Sequence, residues 1–96
     1  MPWNIRPGTD GTLRFRRPWD EEEQTVPATP NVQAVLTSLE ELDDHTPGWF
    51  FGFHPPSDVQ RVEKVWAQIP GEVLVQSSSV DELRREIRQV RRQRNL

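Results

Sequence analysis

Between Pro47-Gly48 and Pro55-Pro56 the chain carries Trp49-Phe50-Phe51-Gly52-Phe53, its most apolar run. The six residues between the two helix-breaking dipeptides are too few for a helix, and bulky aromatic side chains suit a pleated surface. The run is expected to be a central strand, buried on both faces, with the remaining elements packed around it.

Only a small body can form around that strand. The 96 residues suffice for one domain, and a composition of 33% hydrophobic and 28% charged residues leaves part of the chain outside the core. There is no cysteine, so disulfides, thiolate-held zinc and a cysteine nucleophile are excluded and packing must supply the stability. No apolar run is long enough to span a bilayer, and the N-terminus lacks the apolar stretch of a secretion signal. The chain therefore reads as soluble and cytoplasmic, with no implied cofactor or metal and no membrane partner.

Thr29-Pro30 predicts a helix start, because threonine caps the first amides and proline fits where its missing N–H would be unpaired. Val32, Val35, Leu36, Leu39 and Leu42 then form one apolar stripe as far as about Asp44. A second helix is expected from Ser57, with Gln60 completing a capping box and Val59, Val62, Val65, Trp66 and Ile69 as its apolar face up to Pro70-Gly71. Glu72–Gln76 reads as a strand. Ser79 with Glu82 caps a last helix whose Val80, Leu83, Ile87 and Val90 share a face.

Before these elements, Trp3–Arg6 and Thr12–Arg16 read as strands joined by the Pro7–Gly11 turn, Leu13 and Phe15 alternating with arginines. Residues 1–19 are thus an N-terminal strand or hairpin whose order the sequence leaves open. Residues 20–28 are an acidic linker, and residues 29–96 are the core ending in an Arg-rich helix. Strands separated by helices imply βαβ crossovers, hence a small α/β two-layer sandwich with a mixed or parallel sheet of three to four strands and three helices. The alternative is an α+β fold in which the N-terminal hairpin pairs antiparallel with the aromatic strand. No internal repeat of solenoid length is found.

Charge is segregated along the chain. Arg6, Arg14, Arg16 and Arg17 precede the run Asp20-Glu21-Glu22-Glu23; Glu40, Glu41, Asp43 and Asp44 crowd the end of the first helix; and six arginines fall between Arg84 and Arg94. A helix C-terminus favours cations, so the first helix ends unfavourably, whereas the last helix has its acids early and its arginines late.

Chemistry-bearing groups are sparse. His45 lies near Asp43 and Asp44, and His54 near Asp58, the raw material of a general base, but both histidines sit at element ends where capping roles prevail. No metal-ligand spacing occurs. Ser77, Ser78 and Ser79 precede a helix N-terminus that could hold an anion, although no glycine opens the backbone there and Ser79 is already accounted for as a cap. Residues 71–90, a short strand, a Ser-rich turn and an Asp-Glu-Leu helix start, loosely resemble the corresponding stretch of HicB-type antitoxins. The rest of the chain departs from that pattern, so the sequence is assigned to no family.

The functional expectation is a non-enzymatic regulatory or accessory module that binds another protein through charged helices. Arg84, Arg88, Arg91 and Arg92 would meet an acidic partner, and Glu40, Glu41, Asp43 and Asp44 would form the opposite pole. The same polarity could drive a homodimer. The alternative is nucleic-acid binding by the Arg-rich helix together with the arginines and aromatic rings of the N-terminal segment, against which stands the net charge of −3.

Overall fold

A computed structural model describes residues 3–54, 61–69, 71 and 74–94. Three strands, β1 (Asn4–Pro7), β2 (Thr12–Arg16) and β3 (Gln24–Pro27), precede helix α1 (Pro30–Asp44); three more, β4 (Phe50–His54), β5 (Lys64–Gln68) and β6 (Leu74–Ser77), precede helix α2 (Val80–Arg94). Each trio is an antiparallel sheet in chain order, β1-β2-β3 and β4-β5-β6. The order three strands then helix thus occurs twice.

The α/β reading with three helices is therefore overturned: the fold is α+β, with two antiparallel sheets and two helices among the described residues. The alternative named the right class but the wrong pairing, because the hairpin β1–β2 is joined by β3 and not by β4. The expected second helix is in its described part the strand β5. Val62, Val65 and Ile69 fit a helical period, yet Val65 and Ala67 are buried while Lys64, Trp66 and Gln68 are not, a period of two. Antiparallel register sets Val65 opposite Phe53 and small Ala67 opposite Phe51, and this pairing decides between the two periods. The capping residues Ser57 and Gln60, Val59, Asp58 and Pro70, as well as Glu72 and Val73 of the expected last strand, lie outside the described residues.

Two further expectations change. Gln24–Pro27, read as part of the acidic linker, is β3, with Val26 only 1% exposed opposite Leu13. The aromatic run forms an edge strand, not a central one. Phe51 and Phe53 enter the core, but Phe50 is exposed and Gly52 lies under Trp66, whose indole occupies the space a Cβ at Gly52 would need. Trp66 closes the outer face of that sheet and is not a core residue; Trp3 and Trp49 are.

Elsewhere the local signals hold. Thr29 Oγ1 accepts the Val32 amide at 3.1 Å with Pro30 in the first turn. Val32, Leu36, Leu39 and Leu42 are buried, while Val35 is half-buried. Asp10 and Gly11 adopt left-handed conformations (φ 54° and 71°) that turn β1 into β2. One core joins both sheets and both helices: Phe15 of β2 meets Phe53 of β4 with ring centroids 5.7 Å apart, and Leu83 and Ile87 of α2 belong to the same cluster. Trp3 Nε1 donates to Asp43 Oδ2 at 2.7 Å, fastening the chain ahead of β1 to the end of α1. Among the described residues no buried side-chain nitrogen or oxygen lacks a partner.

Candidate functional site

The arginines divide into two groups. In the N-terminal sheet, Arg6 donates to both carboxylate oxygens of Glu23 (2.7 and 2.8 Å), and Arg14 reaches the same carboxylate at 3.4 Å. Arg17 grips Asp20 through Nε and Nη2 at 2.8 and 2.9 Å, donates Nη1 to the Phe51 carbonyl at 2.9 Å, and lies over the Phe15 and Trp19 rings. The Arg17 and Asp20 side chains are only 13% and 9% exposed, so this is an ion pair built into the fold. Burial alone would raise the Asp20 carboxyl, but its hydrogen bonds from Arg17 and the Arg17 charge outweigh that and hold it below the usual carboxylate range. Glu23 is likewise held low, chiefly by the hydrogen bond from Arg6. Asp20 and Glu23 of the acidic run therefore engage the N-terminal arginines, and among the described residues none of the run pairs with an arginine of α2.

On α2 the situation is reversed. Val80, Leu83 and Ile87 face the core, and Arg84, Arg85, Arg88, Arg91 and Arg92 lie outside it. Arg84 reaches Asp81 only at 3.7 Å in an exposed pair, and Arg88, Arg91 and Arg92 form no ion pair among the described residues. Arg84, Arg88 and Arg91 stand three or four residues apart, one above the other, and form one wall of a cleft of about 340 Å³ between the helices. The opposite wall is the end of α1, Glu41 and His45, and Leu42, Thr46 and Ile87 complete the lining. Arg92 lies outside this cleft, in a shallow groove along α2 with Glu82, Arg85 and Glu86.

The expected acidic pole separates into different roles. Glu41 faces the cleft. Asp43 is engaged by Trp3; burial pushes its carboxyl up, against that hydrogen bond, and Asp44 pushes it further. Glu40 is also raised, first by burial and then by Asp44. Asp44 is exposed. Four acids at a helix C-terminus, two of them partly desolvated, leave an unfavourable field that no basic residue in the last turn offsets.

His45 is the C-cap of α1, and its Nδ1 lies 2.9 Å from the Glu41 main-chain carbonyl. That nitrogen must carry a proton to donate there, so the ring is oriented by backbone and not by a carboxylate. His54 is exposed at the end of β4, beside Arg17, Gln24 and Trp66. The three serines are all engaged: Ser77 Oγ donates to Glu86, Ser78 Oγ donates to Glu82 at 2.8 Å, and Ser79 Oγ accepts the Glu82 amide at 3.2 Å. The start of α2 is thus furnished with the chain's own carboxylates. Among the described residues no group of three or more possible ligands is placed to hold a metal ion, and no helix is long and apolar enough to cross a membrane.

Residue patterns singled out the α2 arginines and Glu41, but not Leu42, Thr46 and Ile87, which line the same cleft. Leu42 and Ile87 were visible only as members of apolar stripes; that the stripes converge is a tertiary fact. Compared with protein-family models, with curated proteins and with solved structures, the chain matches none.

Proposed function

We propose that the chain is a non-enzymatic protein-interaction module whose α1–α2 cleft receives an acidic segment of a partner protein. The observation that carries this reading is the stack of Arg84, Arg88 and Arg91 beside Leu42 and Ile87, with the guanidinium groups of Arg88 and Arg91 free of ion pairs among the described residues. Planar, permanently charged guanidinium groups suit carboxylates, and a partly apolar lining raises the worth of each contact above that on open surface. Glu41 on the facing wall repels a second acid, so it orients the guest with its carboxylates toward α2.

The arginines and rings of the N-terminal segment are largely committed elsewhere, which weighs against base stacking there: Trp3 and Phe15 are buried, Trp19 is half-buried against Trp3 and Phe50, and Arg6, Arg14 and Arg17 pair with Glu23 and Asp20. The test is a titration with a glutamate-rich peptide and, separately, a single-stranded oligonucleotide over a salt series. The expected result is peptide binding that weakens with salt and falls roughly tenfold or more in the variant R88E/R91E. A peptide that fails to bind at low salt, or an oligonucleotide that binds in its place with steep salt dependence, overturns the reading.

A further inference from the structure

Each sheet has two edges, and three of the four carry a device that discourages further pairing. β1 presents Arg6 and Pro7, β3 ends in Pro27, and the edge of β4 is occupied where Arg17 Nη1 donates to the Phe51 carbonyl at 2.9 Å. The fourth edge, β6, reads Leu-Val-Gln-Ser with neither proline nor charge, and Leu74 on it is 53% exposed. Among the described residues, no hydrogen bond outside the β5–β6 ladder engages its backbone.

Helix α2 lies beside that edge. Glu86 and Glu82 accept from Ser77 and Ser78, which fixes their side of the helix as the flank next to β6, whereas Arg84 and Arg91 flank α1. From that flank over the outer side of α2 run Glu82, Arg85, Glu86, Arg88, Gln89 and Arg92, with the acids in the first half and arginine last. A two-fold axis that sets one β6 antiparallel to another also sets the two α2 helices antiparallel, bringing Glu82 of each copy toward Arg92 of the other. The charge order is therefore self-complementary under the symmetry that the strand edge requires.

We propose that two copies of the chain pair through β6, joining their C-terminal sheets into one of six strands with the α2 helices side by side. The interface does not use Arg84 or Arg91, and Arg88, which lines both the groove and the cleft, is left unchanged in the variants below, so association and peptide binding are separate readouts.

Light scattering and sedimentation over a concentration series reaching hundreds of micromolar test it. A dimer is expected, and L74K, at an exposed position, should disperse it while the far-ultraviolet spectrum is unchanged. E82R and R92E should each weaken association roughly tenfold by turning both symmetry-related contacts repulsive, and an equimolar mixture of the two variants should restore it, since both contacts are then attractive. A monomer throughout, a dimer that L74K leaves intact, or charge variants that neither weaken alone nor recover on mixing overturns the proposal.

Discussion

The arginines of the N-terminal sheet and those of α2 share a side chain and differ in employment. Arg6, Arg14 and Arg17 have carboxylate partners in the loop between β2 and β3, and Arg17 is also bonded to the β4 backbone and covered by two rings. Arg88 and Arg91 have no ion-pair partner among the described residues and stand over a cleft. The difference separates charge that holds the fold from charge left available to a guest. It follows from position: strand arginines face the loop that carries Asp20 and Glu23, while the acids of α2 sit a turn or more before its last arginines.

Removal of Arg17 should be the most damaging change. Arg17→Ala leaves the Asp20 carboxylate largely buried without its partner and uncovers the β4 edge, so urea unfolding should show a loss of about 2–4 kcal/mol. Acid should reveal the same pair. The depressed Asp20 carboxyl contributes stability that is full above its unfolded value near about 4 and is lost as pH falls through its folded value. Glu40 and Asp43, which are raised, act oppositely: their contribution is full below the unfolded value and lost as pH rises through the folded one. Unfolding midpoints of the wild type should therefore fall on acidification. Those of Arg17→Ala should fall less steeply, because the Asp20 contribution is gone while Glu23, still held low by Arg6, remains against Glu40 and Asp43. Next in size, Asp44→Asn should stabilise by about 0.3–1 kcal/mol, measured by thermal unfolding, through relief of the α1 C-terminal field. Smallest is R88A/R91A, which should change folding stability by less than about 0.5 kcal/mol while weakening peptide binding, by less than R88E/R91E does. A loss comparable to that of Arg17→Ala would erase the contrast between the two groups.

Much of the local structure was legible. The Thr29-Pro30 start of α1, the Ser79 cap of α2 and the alternation Leu13, Phe15 in β2 each depend on neighbours in the chain, and each is present. What failed depended on distant residues. Val62, Val65 and Ile69 satisfy a helical period until Phe51 and Phe53 impose the register that makes residues 64–68 a strand. Val26 is a single apolar residue in a polar stretch, and only pairing with Leu13 makes it part of a sheet. The site divides in the same way. The α2 arginines were visible as an exposed series, but Glu41 was assigned to an opposite pole, whereas packing of α1 on α2 brings it to the same cleft. Asp43 was counted among the recognising acids because nothing in the chain near it points to Trp3, forty residues away.

The claim that the α2 arginines, and not those of the sheet, are the ones available to a guest is tested most directly by arginine side-chain NMR during titration with a glutamate-rich peptide. The Nε–H signals of Arg84, Arg88 and Arg91 should move together, along with the methyl signals of Leu42 and Ile87, while those of Arg6 and Arg17 stay in place. Movement of the Arg6 and Arg17 signals at the same peptide concentration, or movement of the α2 arginines without the Leu42 and Ile87 methyls, would contradict it.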